Sequence, residues 1–268
     1  MNNCHCTKEL AIFWPPNHIS YENPLIGTNE QFCTAFFHVF PCWEWGIKKH
    51  VCLHTDSRNC RHRNVTLIAV TRKFIKGENK KKTTKIARYT NCITKNRAPI
   101  HAEEFMIKDH SLLEELSFGS KITIYAQLQP CHHSGGNDSE SLDVRSCTDL
   151  LLSWYEKTLK PRGIALTIRC ANLYKCMWKF APEEIEHLPL DKCFVNSSTQ
   201  ALEGMKKLIK SDICVTAMSE ASWRFLQRKF NNGGKIAIPE EKMEARKELD
   251  DAIKKFINDL FYSIYYRL

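Results

Sequence analysis

The sequence predicts an α/β fold with a mixed five-stranded sheet, because segments typical of strands and helices alternate after an opening hairpin. Residues 65–74 and 85–93 are rich in β-branched and apolar side chains, which favours the two hairpin strands. The polar segment 76–82 contains Gly77 and Asn79 and predicts the turn between them. A sheet that opens in this way therefore begins with an antiparallel pair.

The remaining elements alternate between helix and strand. Five segments have apolar spacing, or flanking Pro and Gly residues, that predict helices over residues 101–110, 147–160, 199–210, 220–230 and 240–262. Three further segments predict strands over residues 121–128, 164–174 and 213–218. Because a helix separates each of these three strands from the next, we expect the three to be mutually parallel.

The first part of the chain differs in composition from the rest. Residues 1–62 predict an irregular or partly helical extension that packs on a core domain of residues 63–268, with a short helix in the aromatic segment 32–45. Four of the 13 cysteines of the chain lie in the extension close together, namely Cys33, Cys42, Cys52 and Cys60. They could form disulfides, bind a second metal or remain reduced thiols, and we favour reduced thiols.

Composition limits the partners and the compartment. The net charge of +9 over 268 residues favours an anionic partner such as nucleic acid, although a basic surface that only keeps the protein in solution explains it equally well. No apolar run is long enough for a membrane span, so we expect no membrane partner. The polar N-terminus lacks a secretory pattern, which favours the cytoplasm or nucleus. A mature secreted chain without its signal peptide would look the same.

Four side chains have the chemistry of a catalytic zinc site. His101 and Glu103 open a predicted helix, Cys131 follows the strand 121–128, and Cys147 begins the next helix. One imidazole and two thiolates bind zinc and leave a fourth position for water, which a neighbouring carboxylate can deprotonate. A helix N-terminus also favours the Cys147 thiolate. The alternative for His101 is an ordinary histidine at a helix start. The alternative for Glu103 is an exposed first-turn acid favoured by the helix dipole, a role that suits Glu104 better.

These residues resemble the AID/APOBEC deaminases, a family of polynucleotide cytidine deaminases that depend on zinc. His101-Ala102-Glu103 and Pro130-Cys131 match the pattern H-x-E followed by P-C. Residues 166–174, 201–218 and 222–225 are similar to the family's fourth strand, its next helix with the final strand, and an aromatic helix. The resemblance covers about residues 60–262. It implies a cytidine deaminase-like fold in which about six helices flank the five strands.

The resemblance also implies an activity and a substrate. It implies hydrolysis of cytosine to uracil in single-stranded DNA or RNA, with Zn²⁺ as cofactor and Glu103 as the proton shuttle. Residues after the fourth strand would contact nucleic acid through Tyr174, Lys175 and Trp178, by stacking and phosphate binding. Core packing is the alternative for the two aromatic residues.

The segment just before His101 is a second candidate contact with nucleic acid. It spans residues 90–99 and would border the mouth of the pocket. Asn91 and Arg97 in this segment have side chains that hydrogen-bond sugar or phosphate. An exposed polar loop is the equal alternative for both residues.

Two features depart from the family pattern. Fifteen residues separate Cys131 from Cys147, where the family has two to four, although the entropy of closing a loop rises only slowly with its length. His132 or His133 could therefore replace a cysteine, line the pocket or bind a second ion, and the interpretation we favour is that both face water. Leu128 stands where the family has an aromatic residue beside the substrate base, so the packing on the base, and with it the identity of the substrate, stays open.

Two other functions fit the same residues. The first is deamination of free cytidine or its nucleotides, for which a closed pocket and no affinity for single strands would be typical. The second is a zinc-stabilised nucleic-acid-binding protein without turnover. The complete set of His101, Glu103, Cys131 and Cys147 argues against the second, because an inactive site has no need of Glu103. Neither alternative is favoured over deamination of single-stranded nucleic acid.

Overall fold

A computed structural model describes residues 66–75, 80–90, 101–133, 146–173, 176, 192–230 and 240–266. Five strands in these residues form one sheet of order β2-β1-β3-β4-β5. The strands are β1 Thr66–Ile75, β2 Lys80–Thr90, β3 Lys121–Leu128, β4 Ala165–Asn172 and β5 Cys214–Ala217. The α/β class with a mixed sheet is therefore confirmed. The extension of residues 1–62 and its boundary with the core domain lie outside the described residues and stay predictions.

Strand directions follow from the connections between strands. β1 pairs antiparallel with both β2 and β3, whereas β3, β4 and β5 run parallel to one another, as the sequence predicts. β2 begins earlier than predicted, because Lys80, Lys81 and Lys82 pair with β1 instead of forming the turn. Strand pairing uses backbone hydrogen bonds, so a run of lysines does not prevent it at an edge strand.

Five α-helices occur in the described part of the chain: α1 Ala102–Lys108, α2 Cys147–Trp154, α3 Lys192–Lys210, α4 Glu220–Phe230 and α5 Glu240–Tyr265. The helix predicted in residues 32–45 lies outside the described residues. The prediction of one α-helix over residues 147–160 is wrong beyond Trp154, where a π turn over Tyr155–Leu159 and a 3₁₀ turn over Lys160–Arg162 follow. Pro161 cannot donate a helical hydrogen bond, and Gly163 ends the segment with a φ of 62°.

The core lies between the sheet and four of the helices. Alternate strand residues such as Leu67, Ile122 and Leu166 belong to one buried cluster with apolar side chains of α1, α2, α3 and α5. Helix α4 packs on the other face, where Phe225 stacks on Tyr125 with ring centroids 6.0 Å apart. No described helix combines the length and the apolar content that crossing a bilayer requires. This packing places the starts of α1 and α2 beside the carboxyl end of β3.

Candidate metal centre

Two hydrogen bonds bring the two cysteine-bearing segments together, and a third holds the end of β3 against β4. Past the end of β3, the Gln129 amide donates to the Asn172 carbonyl oxygen of β4, at 3.2 Å. The Thr148 amide, in the first turn of α2, donates to the Cys131 carbonyl oxygen at 3.0 Å, and its hydroxyl reaches the Pro130 carbonyl oxygen at 3.5 Å. The end of β3 is thus tied directly to the start of α2. Cys131 and Cys147 are therefore neighbours despite the residues between them.

His101 completes a three-residue group at this junction. Its Nδ1 lies 3.1 Å from the Cys147 Sγ and 3.3 Å from the Cys131 Sγ, and the three ligand atoms all lie within 4.8 Å of one another. A tetrahedral zinc ion keeps a nitrogen and a sulfur ligand about 3.6 Å apart. The group can therefore hold one metal ion after a displacement of a few tenths of an ångström.

The two thiols differ in their affinity for a proton. A hydrogen bond from Cys147, aided by His101, lowers the pKa of Cys131 below its ordinary value in spite of burial. Donating that bond, together with burial and the nearby Glu103 carboxylate, raises the pKa of Cys147 far above its ordinary value. The pair thus retains one proton between the two sulfurs. A cation beside them favours loss of this proton, because metals bind thiolates.

Glu103 places a carboxylate beside the sulfurs. It lies in the first turn of α1 and is only 8 % exposed. Burial, followed by the negative charge of the Cys131 thiolate, raises the pKa of Glu103 to about 7. The neighbouring Cys147 thiol moderates this rise in the pKa of Glu103. A group with this pKa can both accept and release a proton near neutral pH, which is the property of a general acid-base residue.

Glu104 has the helix-capping role instead. Its Oε1 accepts the His101 amide hydrogen at 3.1 Å, and its own amide donates to the His101 carbonyl oxygen at 3.1 Å. This reciprocal pair satisfies two backbone groups that a helix start leaves without partners. The sequence predicts an exposed first-turn acid at Glu104, whereas the structure shows a partly buried residue that caps the helix. Glu103 is left to turn inward toward the cysteines.

A second group lies beyond the two cysteines and contains both histidines that follow Cys131. His132, His133 and Asp149 have potential ligand atoms within 4.8 Å of one another. The interpretation that both histidines face water is wrong for His132, which is buried. Neither histidine takes the place of a cysteine beside His101. The third member, Asp149, is not predicted from the sequence, although it lies two residues after Cys147 just as His133 lies two residues after Cys131.

Hydrogen bonds and burial set the protonation states of the second group. Burial raises the pKa of Asp149, but hydrogen bonds from Lys207 and Ser146 outweigh it, so that the pKa lies below its ordinary value. Burial lowers the pKa of His132. The group therefore combines an ionised carboxylate with a neutral imidazole. Both are forms in which these side chains bind metals.

Helix α3 packs against this group at Gly204. A Cβ at Gly204 would lie 2.5 Å from the His132 Cβ and 3.0 Å from the Thr148 Oγ1.

We expect Gly204→Ala to lower the free energy of unfolding by about 1–3 kcal/mol, because α3 must move away from His132. In an unhindered helix the same change would raise stability by up to about 1 kcal/mol. Urea denaturation measures the sign, with exposed Glu203→Ala as the control. A Gly204→Ala protein as stable as the wild type would contradict this packing.

The residues predicted to contact nucleic acid are not tested by this geometry. Asn91, Arg97, Tyr174, Lys175 and Trp178 lie outside the described residues. The clustered cysteines Cys33, Cys42, Cys52 and Cys60 of the extension also lie outside them. Their roles therefore stay predictions. Leu128, in contrast, lies within the described part as the last residue of β3, three residues before Cys131.

Comparisons with known proteins do not assign the chain to a family. No protein-family model matches it, and no curated protein matches it significantly. Any statement about function therefore depends on the side chains that meet at the His101-Cys131-Cys147 group.

Proposed function

We propose that this protein is a zinc-dependent hydrolase that converts cytosine to uracil in single-stranded nucleic acid. The observation that carries the proposal is the meeting of His101, Cys131 and Cys147 with the buried carboxylate of Glu103 beside them. One imidazole and two thiolates are a typical zinc ligand set, and three protein ligands leave one position for water. The mixed sheet, with its opening hairpin and three parallel strands, supports the cytidine deaminase-like fold that the sequence resembles.

The chemistry divides between the ion and Glu103. Zinc at this group would supply a water molecule of lowered pKa. Glu103 accepts the proton that this water releases as its oxygen attacks C4 of cytosine. Glu103 then delivers this proton to N3 of the ring, where it stays in the product, and carries the second proton of the water from the new C4 hydroxyl to the amino group, which departs as ammonia. Water and cytosine thus give uracil and ammonia, and Glu103 ends the cycle in its starting state.

The positive net charge of the protein favours a polymeric substrate over free cytidine. The net charge of +9 attracts a phosphate backbone, and such binding weakens as the salt concentration rises. A base paired within a duplex hides its amino group, so a single strand presents cytosine at lower energetic cost. DNA and RNA both satisfy these requirements.

The test is an assay of purified protein with single-stranded DNA, single-stranded RNA and free cytidine, in which uracil or uridine formation is measured. We expect uracil in at least one polymer, loss of activity after chelation of metal, and recovery when Zn²⁺ is returned. Turnover of free cytidine alone would overturn the polymeric substrate. Binding of single strands without turnover of any of the three substrates would overturn the enzymatic role.

A further inference from the structure

We propose that His132, His133 and Asp149 form a second site for a divalent transition-metal ion, separate from the His101-Cys131-Cys147 group. The two groups share no residue, and each has its ligand atoms within 4.8 Å of one another. The second site is independent of the deamination chemistry, because no step of that chemistry uses its residues.

The spacing around one carboxylate oxygen fits an ion. Asp149 Oδ2 lies 3.5 Å from the His132 Nδ1 and 3.8 Å from the His133 Nε2. These distances exceed the usual length of an N–H···O hydrogen bond, which is about 2.7–3.2 Å. Two light ligand atoms around a tetrahedral ion with bonds of about 2.1 Å are about 3.4 Å apart. The three side chains are therefore nearer to the spacing of shared ligands than to that of hydrogen-bonded partners.

The surroundings hold two of the three ligands in place. Ser146 Oγ lies 2.7 Å from the His132 Nδ1 and also accepts the Asp149 amide hydrogen at 3.0 Å. Gly204 allows α3 to pack directly on the His132 side chain, with no room for a Cβ between them. An ion at Nδ1 would replace the contact with the Ser146 hydroxyl, while the bond from the Asp149 amide would keep Ser146 in position.

Lys207 positions the third ligand and competes with the ion. Its Nζ lies 3.1 Å from Asp149 Oδ1, the carboxylate oxygen that does not face the histidines. This contact leaves Oδ2 directed at His132 and His133. The positive charge of Lys207 also opposes any cation bound at Oδ2. Removing this charge should therefore strengthen metal binding, whereas a purely structural role of the cluster predicts no such gain.

The donor set defines the class of ion. Two imidazoles and one carboxylate suit Zn²⁺, Co²⁺, Ni²⁺ or Cu²⁺, whereas Mg²⁺ and Ca²⁺ prefer oxygen ligands alone. His132 and His133 directly follow Cys131, and Asp149 lies two residues after Cys147. An ion here would link the residues that follow Cys131 to the first turn of α2.

The experiment measures metal content and Co²⁺ spectra on the full-length protein. Of the two groups, only His101-Cys131-Cys147 contains cysteines. Co²⁺ bound at that group gives a thiolate charge-transfer band, whereas Co²⁺ bound at His132, His133 and Asp149 does not. We expect His133→Asn to bind one equivalent of Zn²⁺ or Co²⁺ fewer than the wild type and to keep that band. Asparagine suits this position because it tolerates the φ of 51° that His133 adopts. His101→Ala is the reciprocal control and should lower the intensity of the band relative to the wild type while retaining the equivalent bound at His132, His133 and Asp149.

A further variant separates metal binding from structure. Lys207→Met should lower the Kd of the second equivalent by about 2- to 5-fold, the usual range for one exposed charge pair. Equal metal content in the wild type and His133→Asn would overturn the second site. Uracil formation is measured separately. An inactive protein that still loses one equivalent in His133→Asn contradicts only the proposed deaminase function.

Discussion

Replacing Glu103 by glutamine is expected to lower the rate of cytosine deamination by about 10²–10⁴-fold, the range attributed to general acid-base catalysis. Glutamine keeps the shape of the side chain and can still meet Cys147, but it cannot accept the proton of the attacking water. Because Glu103 is not a metal ligand, metal content and thermal stability should stay close to those of the wild type. Initial rates, metal content and the thermal midpoint measure these three properties.

Glu104 offers a matched control one residue away. Glu104→Gln retains an oxygen that can accept the His101 amide hydrogen, so the helix cap is preserved in large part. We expect its deamination rate to stay within a small factor of the wild type, since Glu104 caps α1 while Glu103 is buried beside the cysteines. If both variants lost activity equally, the start of α1 as a whole would matter, and Glu103 would have no special role in proton transfer.

The strands, the helices and the His101-Cys131-Cys147 group are predictable from the sequence because both kinds of feature depend on local patterns. The bounds of β3 and α4 agree with the predicted segments 121–128 and 220–230, where apolar spacing and flanking residues are clear. His101 and Cys147 stand at helix starts, and Cys131 stands just past a strand end. Parallel strands bring such ends to one edge of a sheet, so the convergence of these residues could be inferred without coordinates.

Features that depend on distant contacts could not be inferred in the same way. Lys80 pairs with Ile75 through backbone hydrogen bonds to β1, and a lysine side chain does not predict such pairing. Asp149 resembles an ordinary first-turn acid until α3 brings Lys207 against it. Each feature depends on a second element whose position the local sequence does not encode.

The buried pair Arg246 and Asp250 is another feature that the local sequence does not predict. Their spacing of four residues on α5 is typical of an exposed helical ion pair, yet both side chains are buried. Arg246 donates to Asp250 Oδ1 at 2.6 Å and to the Ala171 carbonyl oxygen of β4. Trp223 of α4 donates its Nε1 hydrogen to Asp250 Oδ2 at 2.7 Å. The pair therefore joins three elements of the fold.

Asp250→Ala is expected to lower the free energy of unfolding by about 3–5 kcal/mol, because it leaves the Arg246 charge buried without its carboxylate partner. Trp223 loses its acceptor in the same variant. Urea denaturation with a two-state fit measures the loss, and the exposed neighbour Asp251→Ala serves as the control. A loss below about 1 kcal/mol, the level of an exposed ion pair, would contradict the burial of this network.

The double variant Arg246→Met/Asp250→Leu tests whether the ion pair itself stabilises the fold. Burial raises the pKa of Asp250 and lowers that of Arg246 even though each faces the other, so desolvation outweighs their attraction. Two apolar side chains should therefore recover most of the stability that Asp250→Ala loses. The remaining deficit should be about 1–3 kcal/mol, because the Trp223 Nε1 hydrogen still lacks an acceptor. A double variant no more stable than Asp250→Ala would mean that the ion pair contributes more to folding than its burial costs.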